Sequence, residues 1–303
     1  MIRRLLLCIP TLLGVSLLVF AFLALVPGDP VEMMLGESAA PADAAAVRAD
    51  LGLDRPPLER LADFLADLAR GDLGTSISYR APVAQVIAER WPATLELAAA
   101  AFATALLLAL PLGVLAGVRP HGLGDRLARL VSLAGTCLPS FWLGPLLILV
   151  FAFQLGWLPV SGRGGVAHLV LPALTLALGM AGVLVRLTRA SLLLALREDH
   201  VRTARAKGAG FSRVLLVHAL RTALVPVVTV ASLQGGALLA GTIVTETVFA
   251  WPGLGRLMVQ AIATRDYPLV QGCVLVLAAS YVVVNALADV LAARLDPRLR
   301  DAA

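Results

Sequence analysis

Residues 196–226, LREDHVRTARAKGAGFSRVLLVHALRTALVP, gather the residue types best suited to gripping another molecule. Arg202, Arg205 and Lys207 supply positive charge, and Thr203, Ala204 and Ala206 are small enough for close approach. A helical pattern runs up to Gly208-Ala209-Gly210, breaks there, and resumes from about Ser212. Two helical pieces meeting at a glycine break make an L-shaped knob that suits a groove on a soluble partner. The same residues also read as a basic loop facing solvent or lipid headgroups. Lys207 is the only lysine in the chain and is followed by Gly208. A phosphate-gripping P-loop needs Ser or Thr after its lysine, so this chain does not hydrolyse ATP by that route. The histidines (His121, His168, His200 and His218) are too far apart for metal-ligand spacing, and no serine sits in a nucleophile-elbow pattern. Cys8, Cys137 and Cys273 lie in separate apolar stretches and read as small buried hydrophobes.

A second group of polar residues falls inside apolar runs, where charge is costly and ordinarily faces a cavity or a partner. Glu96 and Glu246 lie near the outer ends of two runs, Gln234 lies within the same run as Glu246, and Asn285 and Asp289 lie within the last. Glu246 has two readings: pairing with Arg256 or Arg265 under the Trp251-Pro252-Gly253 turn, or lining a gate. Gln234 stands beside Gly235-Gly236, so helix packing and solute contact are both open. Asp289 is placed to pair with Arg294.

These residues must be positioned by membrane helices. Of 303 residues, 59% are hydrophobic and only 15% charged, with mean hydropathy +0.87. Soluble domains run about 45–50% apolar and about 25% charged. About 20 apolar residues cross a bilayer core as a helix. Six spans follow: about Leu5–Val26, Leu95–Val118, Leu130–Phe153 (kinked by Pro139 and Pro145), His168–Leu187, Thr222–Thr245 and Leu269–Leu291. A soluble enzyme, a disordered chain and a disulfide-stapled secreted domain are excluded, and continuous rather than alternating runs argue against a β-barrel. The first run is too long for a secretory signal and reads as an uncleaved helix. Arginines gather before the first span, in 119–129, in 186–221 and after the last span, which places both termini inside. The net charge of +5 is then the ordinary inside-loop excess; no basic stripe is interleaved with aromatics, so nucleic-acid binding is not indicated. Residues 27–94 form an external cap. It has a short helix at about Ala42–Leu51 and a second opened by Pro57, with Leu58, Leu61, Leu65 and Leu68 on one face and Gly71 past its end.

The 196–226 loop resembles the EAA-type loop of binding-protein-dependent ABC transporter permeases, and HVRTARAKG followed by HALRTALVPVV resembles the dipeptide/oligopeptide/nickel group. VPGDP (26–30), LGLDRPPLERL (51–61), GDLGTS (71–76), RWPATLELA (90–98), LPSFWLG (138–144), TETVFAWPGLGRL (245–257), RDYPLVQG (265–272) and LDPR (295–298) match that group in order. Against the general EAA pattern, Arg202 and Thr203 replace Glu and Ala, and the proline comes later, at Pro226. The resemblance implies an all-α membrane protein with six transmembrane helices, N-in/C-in, in the MetI-like ABC importer permease fold. An external helical insertion (27–94) follows the first helix (1–26). A five-helix core (95–295) then carries coupling loop 196–222, and a cytoplasmic tail (296–303) ends the chain. It implies that Arg202, Thr203, Ala204, Arg205, Ala206, Lys207 and Gly208 enter a cleft of a separate ATPase subunit. Gln234 and Glu246 are candidate gate or path residues. It implies partners: a second homologous permease subunit, two ABC ATPase subunits that hold ATP and Mg, a substrate-binding protein outside the cell, and membrane lipid. The chain itself then carries no cofactor, catalytic residue or metal. The expected role is translocation of di- or oligopeptides, or a related small solute, across a bacterial plasma (inner) membrane by alternating access. The rival reading is a stand-alone secondary transporter or channel. Such proteins often show internal repeats and midplane coupling carboxylates, and neither is evident here. A sensor or scaffold is disfavoured because no signalling domain follows the last span.

Overall fold

A computed structural model describes residues 2–25, 45, 48 and 54–295, with side chains of 2–9, 23–25, 289 and 291–295 left aside. Among the described residues the continuous helices are α1 (Ile2–Leu25), α2 (Pro57–Ala69), α3 (Val83–Val118), α4 (Leu123–Cys137), α5 (Ser140–Gln154), α6 (Val166–Ala195), α7 (Asp199–Ala206), α8 (Phe211–Val248), α9 (Leu254–Ala263) and α10 (Tyr267–Leu295). Among the described residues there is no strand, only one antiparallel bridge between Thr75 and Pro82. Four helices (α3, α6, α8 and the described part of α10) are long and apolar enough to cross a membrane. Counting the bent pair α4–α5 as one span makes five. α1, 24 residues long, lies on the first apolar run.

The chain divides into two compact units: Met1–Thr94 with Pro252–Ser280, and Leu95–Trp251 with Tyr281–Ala303. In the first unit, Pro57 occupies the first turn of α2, where its missing N–H costs nothing. Gly71 past the helix end has φ +80°, a conformation that glycine adopts without a Cβ clash. Leu61, Phe64, Leu65 and Leu68 are half-buried, while Leu58 stays exposed. Phe64 stacks on Phe20 of α1 with ring centroids 6.2 Å apart. The core of this unit joins Val83, Val86 and Ile87 of α3 to Leu254, Leu257 and Ala261 of α9 and Leu269, Val270 and Cys273 of α10. Residues from the expected cap therefore share one core with 252–280. The earlier helix expected at about Ala42–Leu51 falls mostly outside the described residues; Ala45 and Arg48 are helical.

In the second unit, α6 is the most enclosed long helix. α4 lies against it at backbone distance: a Cβ built on Gly135 would overlap the Leu178 carbonyl oxygen. Ser132 Oγ donates to the Gly182 carbonyl at 2.9 Å, tying the same crossing. Such close approach needs small residues at the contact.

Two sequence expectations are corrected. The third apolar run is not one kinked helix. α4 and α5 meet at 116° across Leu138-Pro139. Pro139 has no N–H to continue the α4 ladder and instead caps the start of α5, whereas Pro145 sits inside α5 without breaking it. The cysteines are also not uniformly buried: Cys273 is, but Cys137 at the end of α4 is exposed. Cys8 and the expected Asp289–Arg294 pair lie outside the described side chains.

Candidate coupling surface and translocation path

The 196–226 stretch folds as two helices meeting at a break. α6 ends at Ala195, α7 spans Asp199–Ala206, and α8 begins at Phe211. The turn passes through Gly208 at φ +80°, and Ala209 N–H donates to the Ala204 carbonyl at 3.1 Å. α8 starts at Phe211, beside the expected resumption at Ser212 and about three turns before the expected start of the span at Thr222, and runs unbroken to Val248, with a π-helical turn at Val214–Ala219.

α7 has two unlike faces. Val201 and Ala204 are buried with Leu192, Ala195, Val214, Ala219 and Ala223. Arg202, Thr203, Arg205, Ala206, Lys207 and Gly208 are exposed. The Thr203 hydroxyl donates back to the Asp199 carbonyl, 2.9 Å. Of the seven residues expected to grip a partner, six are exposed, while Ala204 packs into its own chain's core and also borders the hollow beside this face. Beside this face lies an open hollow of ≈ 1090 Å³ lined by Lys207, Gly208, His200, His218 and Arg213 among others. His200 Nε2 lies 3.3 Å from the His218 carbonyl oxygen.

The remaining strings also find their places. In the first unit, Ser76 of GDLGTS donates its hydroxyl to Asp266 of RDYPLVQG at 2.6 Å, and Ser78 N–H adds a bond of 2.9 Å to the same oxygen. The other Asp266 oxygen accepts from Leu269 N–H, 3.2 Å, so this fully buried carboxylate caps α10. Thr94 of RWPATLELA accepts the Leu254 N–H through Oγ1 at 2.8 Å, holding the start of α9. In the second unit, Phe249 and Trp251 are buried and Gly144 of LPSFWLG lies against Phe249. Arg163 sits 5.9 Å from the Trp251 ring centroid and donates to Glu96 at 2.9 Å.

Two family descriptions match the chain: "Binding-protein-dependent transport system inner membrane component" over residues 109–301, and the N-terminal membrane component of the same systems over residues 1–98. This chain belongs to the binding-protein-dependent transport permeases. The permease is 45% identical to the glutathione transport system permease protein GsiC of Pectobacterium atrosepticum, over 99% of this chain and 98% of that protein. It is 42% identical to the dipeptide transport system permease protein DppB of Escherichia coli K12, over 99% and 98%. Among solved structures, it resembles the MetNI methionine ABC transporter in an inward-facing conformation, with TM-score 0.56 and 19% identity over 70% of this chain and 97% of that one. An amino acid ABC transporter with histidines gives TM-score 0.53 at 16% identity, over 71% and 94%. These two likenesses show the fold. The permease is thus a multi-pass inner-membrane component of a transport system, and it works with a partner ATPase and a binding protein.

In this permease Glu246 is fully buried on α8, and its carbonyl accepts the Trp251 N–H at 2.8 Å, closing the turn into Trp251. Gln234, more than three helical turns away on the same helix, is half-buried and lines a different region. Gly236 packs against Asn285 of α10 and Gly235 against Phe102 of α3. The close helix approach expected at Gln234-Gly235-Gly236 is therefore made by the two glycines.

Sequence reasoning missed the Asp125 cluster. The carboxylate is fully buried near the start of α4 and is held by Arg189 Nε at 2.7 Å, Arg129 Nη2 at 2.7 Å and the His121 N–H at 2.9 Å. Only the four-residue spacing of Asp125 and Arg129 was visible beforehand; Arg189 lies on another helix. Asp266 was missed too, although Asp before Tyr-Pro at the head of an apolar run is a readable helix start.

Proposed function

We propose that this permease imports small peptides, of dipeptide to tripeptide size, through alternating access driven by two ATP-hydrolysing subunits on the cytoplasmic side. It pairs with a second, homologous permease subunit and receives its solute from a binding protein outside the membrane. Both termini lie inside, and six spans cross the bilayer. The full-length likeness to permeases of glutathione and dipeptide systems carries this reading. The two-faced α7 supports its coupling step. Val201 and Ala204 are rooted in the protein's own core, so a push on the exposed basic face is transmitted to α6 and α8 rather than absorbed by a floppy loop. Arg202, Thr203, Arg205, Ala206, Lys207 and Gly208 are the contact residues.

Co-expression with the ATPase, permease and binding-protein genes of one such system tests this. The subunits should co-purify, and ATP hydrolysis should rise when peptide-loaded binding protein is added to the membrane-reconstituted complex. An assembly whose hydrolysis ignores the loaded binding protein, or a chain that captures no ATPase subunit, would overturn the reading.

A further inference from the structure

The bend between α4 and α5 opens a hollow of ≈ 210 Å³ against α6 and α8. Ser140, Thr175, Gly179, Gln234, Ala237 and Gly241 line it, with apolar side chains between them, and no ionisable group does so among the described residues. Ser140, Thr175, Gly179, Gln234 and Ala237 fall toward the middle of their apolar runs, and a bilayer interior supplies no water to unpaired backbone groups. Irregular backbone at that depth is tolerated where it is buried in protein or borders a water-filled cavity. Pro139 cannot give an N–H to the α4 ladder, and of the first N–H groups of α5 those of Trp142 and Leu143 donate to the Pro139 carbonyl, leaving the first two without a helical acceptor. Gln234 contributes an amide that is half-buried and makes no side-chain hydrogen bond among the described residues. Thr175, by contrast, spends its hydroxyl proton on the Leu171 carbonyl at 2.8 Å.

We propose that this hollow is a subsite for the backbone of the transported peptide, with the Gln234 side-chain amide pairing with a peptide bond of the solute. A primary amide both donates and accepts, as a peptide bond does, so the two groups are complementary. Small residues at Gly179, Ala237 and Gly241 leave room for the solute's side chains, and the uncharged lining gives no fixed charge to trap a terminus. The subsite reads the group that all short peptides share and leaves side-chain choice elsewhere. This inference rests on the import reading above.

The test uses the complete reconstituted complex with alanylalanine as probe. Gln234→Leu should raise the KM for uptake about tenfold, a loss of about 1.4 kcal/mol, with binding-protein-stimulated ATP hydrolysis retained. Gln234→Asn, which keeps the amide, should stay closer to the natural protein. Independently, Ala237→Cys, in a background with alanine at the three native cysteines, should react with a small maleimide severalfold more slowly when alanylalanine is present during ATP turnover. An unchanged KM in Gln234→Leu, or Ala237→Cys labelling indifferent to peptide while loaded binding protein still stimulates hydrolysis, would overturn the subsite alone. Should Gln234→Leu fail to assemble, the labelling of Ala237→Cys decides. Loss of stimulation in the natural complex would instead overturn the import reading beneath it.

Discussion

Ala204 and its neighbours separate two tasks that one short helix performs. Ala204 is buried with Leu192 and Val214, so Ala204→Trp forces an indole into a filled core. It should lower the yield and thermal stability of the permease itself. Ala206 is exposed on the opposite side. Ala206→Trp should leave the permease stable and reduce co-purification of the ATPase subunits by tenfold or more, the scale of a hot-spot contact. Arg213→Ala should also weaken that co-purification, because Arg213 borders the same hollow as Lys207 and Gly208. Asp125 makes a sharper demand. Removing one partner of a buried, hydrogen-bonded ion pair costs about 3–5 kcal/mol. Asp125→Ala strands Arg189, which is itself largely buried, and should lower the melting temperature in detergent well beyond the effect of Glu96→Ala. The Glu96–Arg163 pair is about two-fifths exposed on both sides, and such pairs contribute about 0–1 kcal/mol. Equal melting shifts for the two variants would remove Asp125 from its central place.

At the level of elements, α10 begins where Asp266 caps it and Ser76 reaches across to the same carboxylate. Ser76→Ala removes one of three donors to a fully buried acid, and a lost buried hydrogen bond costs about 1–3 kcal/mol. Its melting temperature should fall, and Asp266→Ala should fall further because the cap is lost as well; a silent Ser76→Ala would show that the tie between 71–76 and 265–272 is dispensable. The helices themselves were legible because apolar runs declare membrane spans and because Pro57 and Gly71 bracket α2. The α4–α5 bend was not. Pro139 and Pro145 look alike in the sequence, and only the packing of α4 on α6 through Gly135 and Gly182 decides which of them turns the chain. The coupling stretch was legible as charge and a glycine break, yet the inward turn of Ala204 was hidden, since the helical period cannot say which face meets the rest of the chain. Asp125–Arg189 and Ser76–Asp266 join residues 64 and 190 positions apart, and no local pattern carries such pairings.

For the whole molecule, we propose that residues 27–94 face away from the cytoplasm, where α7 would meet the ATPase. Single cysteines at Ala66, exposed on α2, and at Ala206, exposed on α7, placed in the cysteine-free background, should differ accordingly. Ala66→Cys should react with an impermeant maleimide on intact spheroplasts, and Ala206→Cys only after lysis. The reverse pattern would invert the topology. Energy is the other whole-molecule question. The sequence carries no P-loop, and the family is one of transport components that act with a binding protein. The most direct measurement is uptake of labelled alanylalanine into sealed proteoliposomes, comparing this chain alone with the complete assembly of two permease subunits, ATPase subunits and binding protein. The account expects uptake only by the complete assembly, only with ATP and Mg on the cytoplasmic face, and none from the chain alone under a proton or sodium gradient. Gradient-driven accumulation by the chain alone would contradict it and make the protein a secondary transporter.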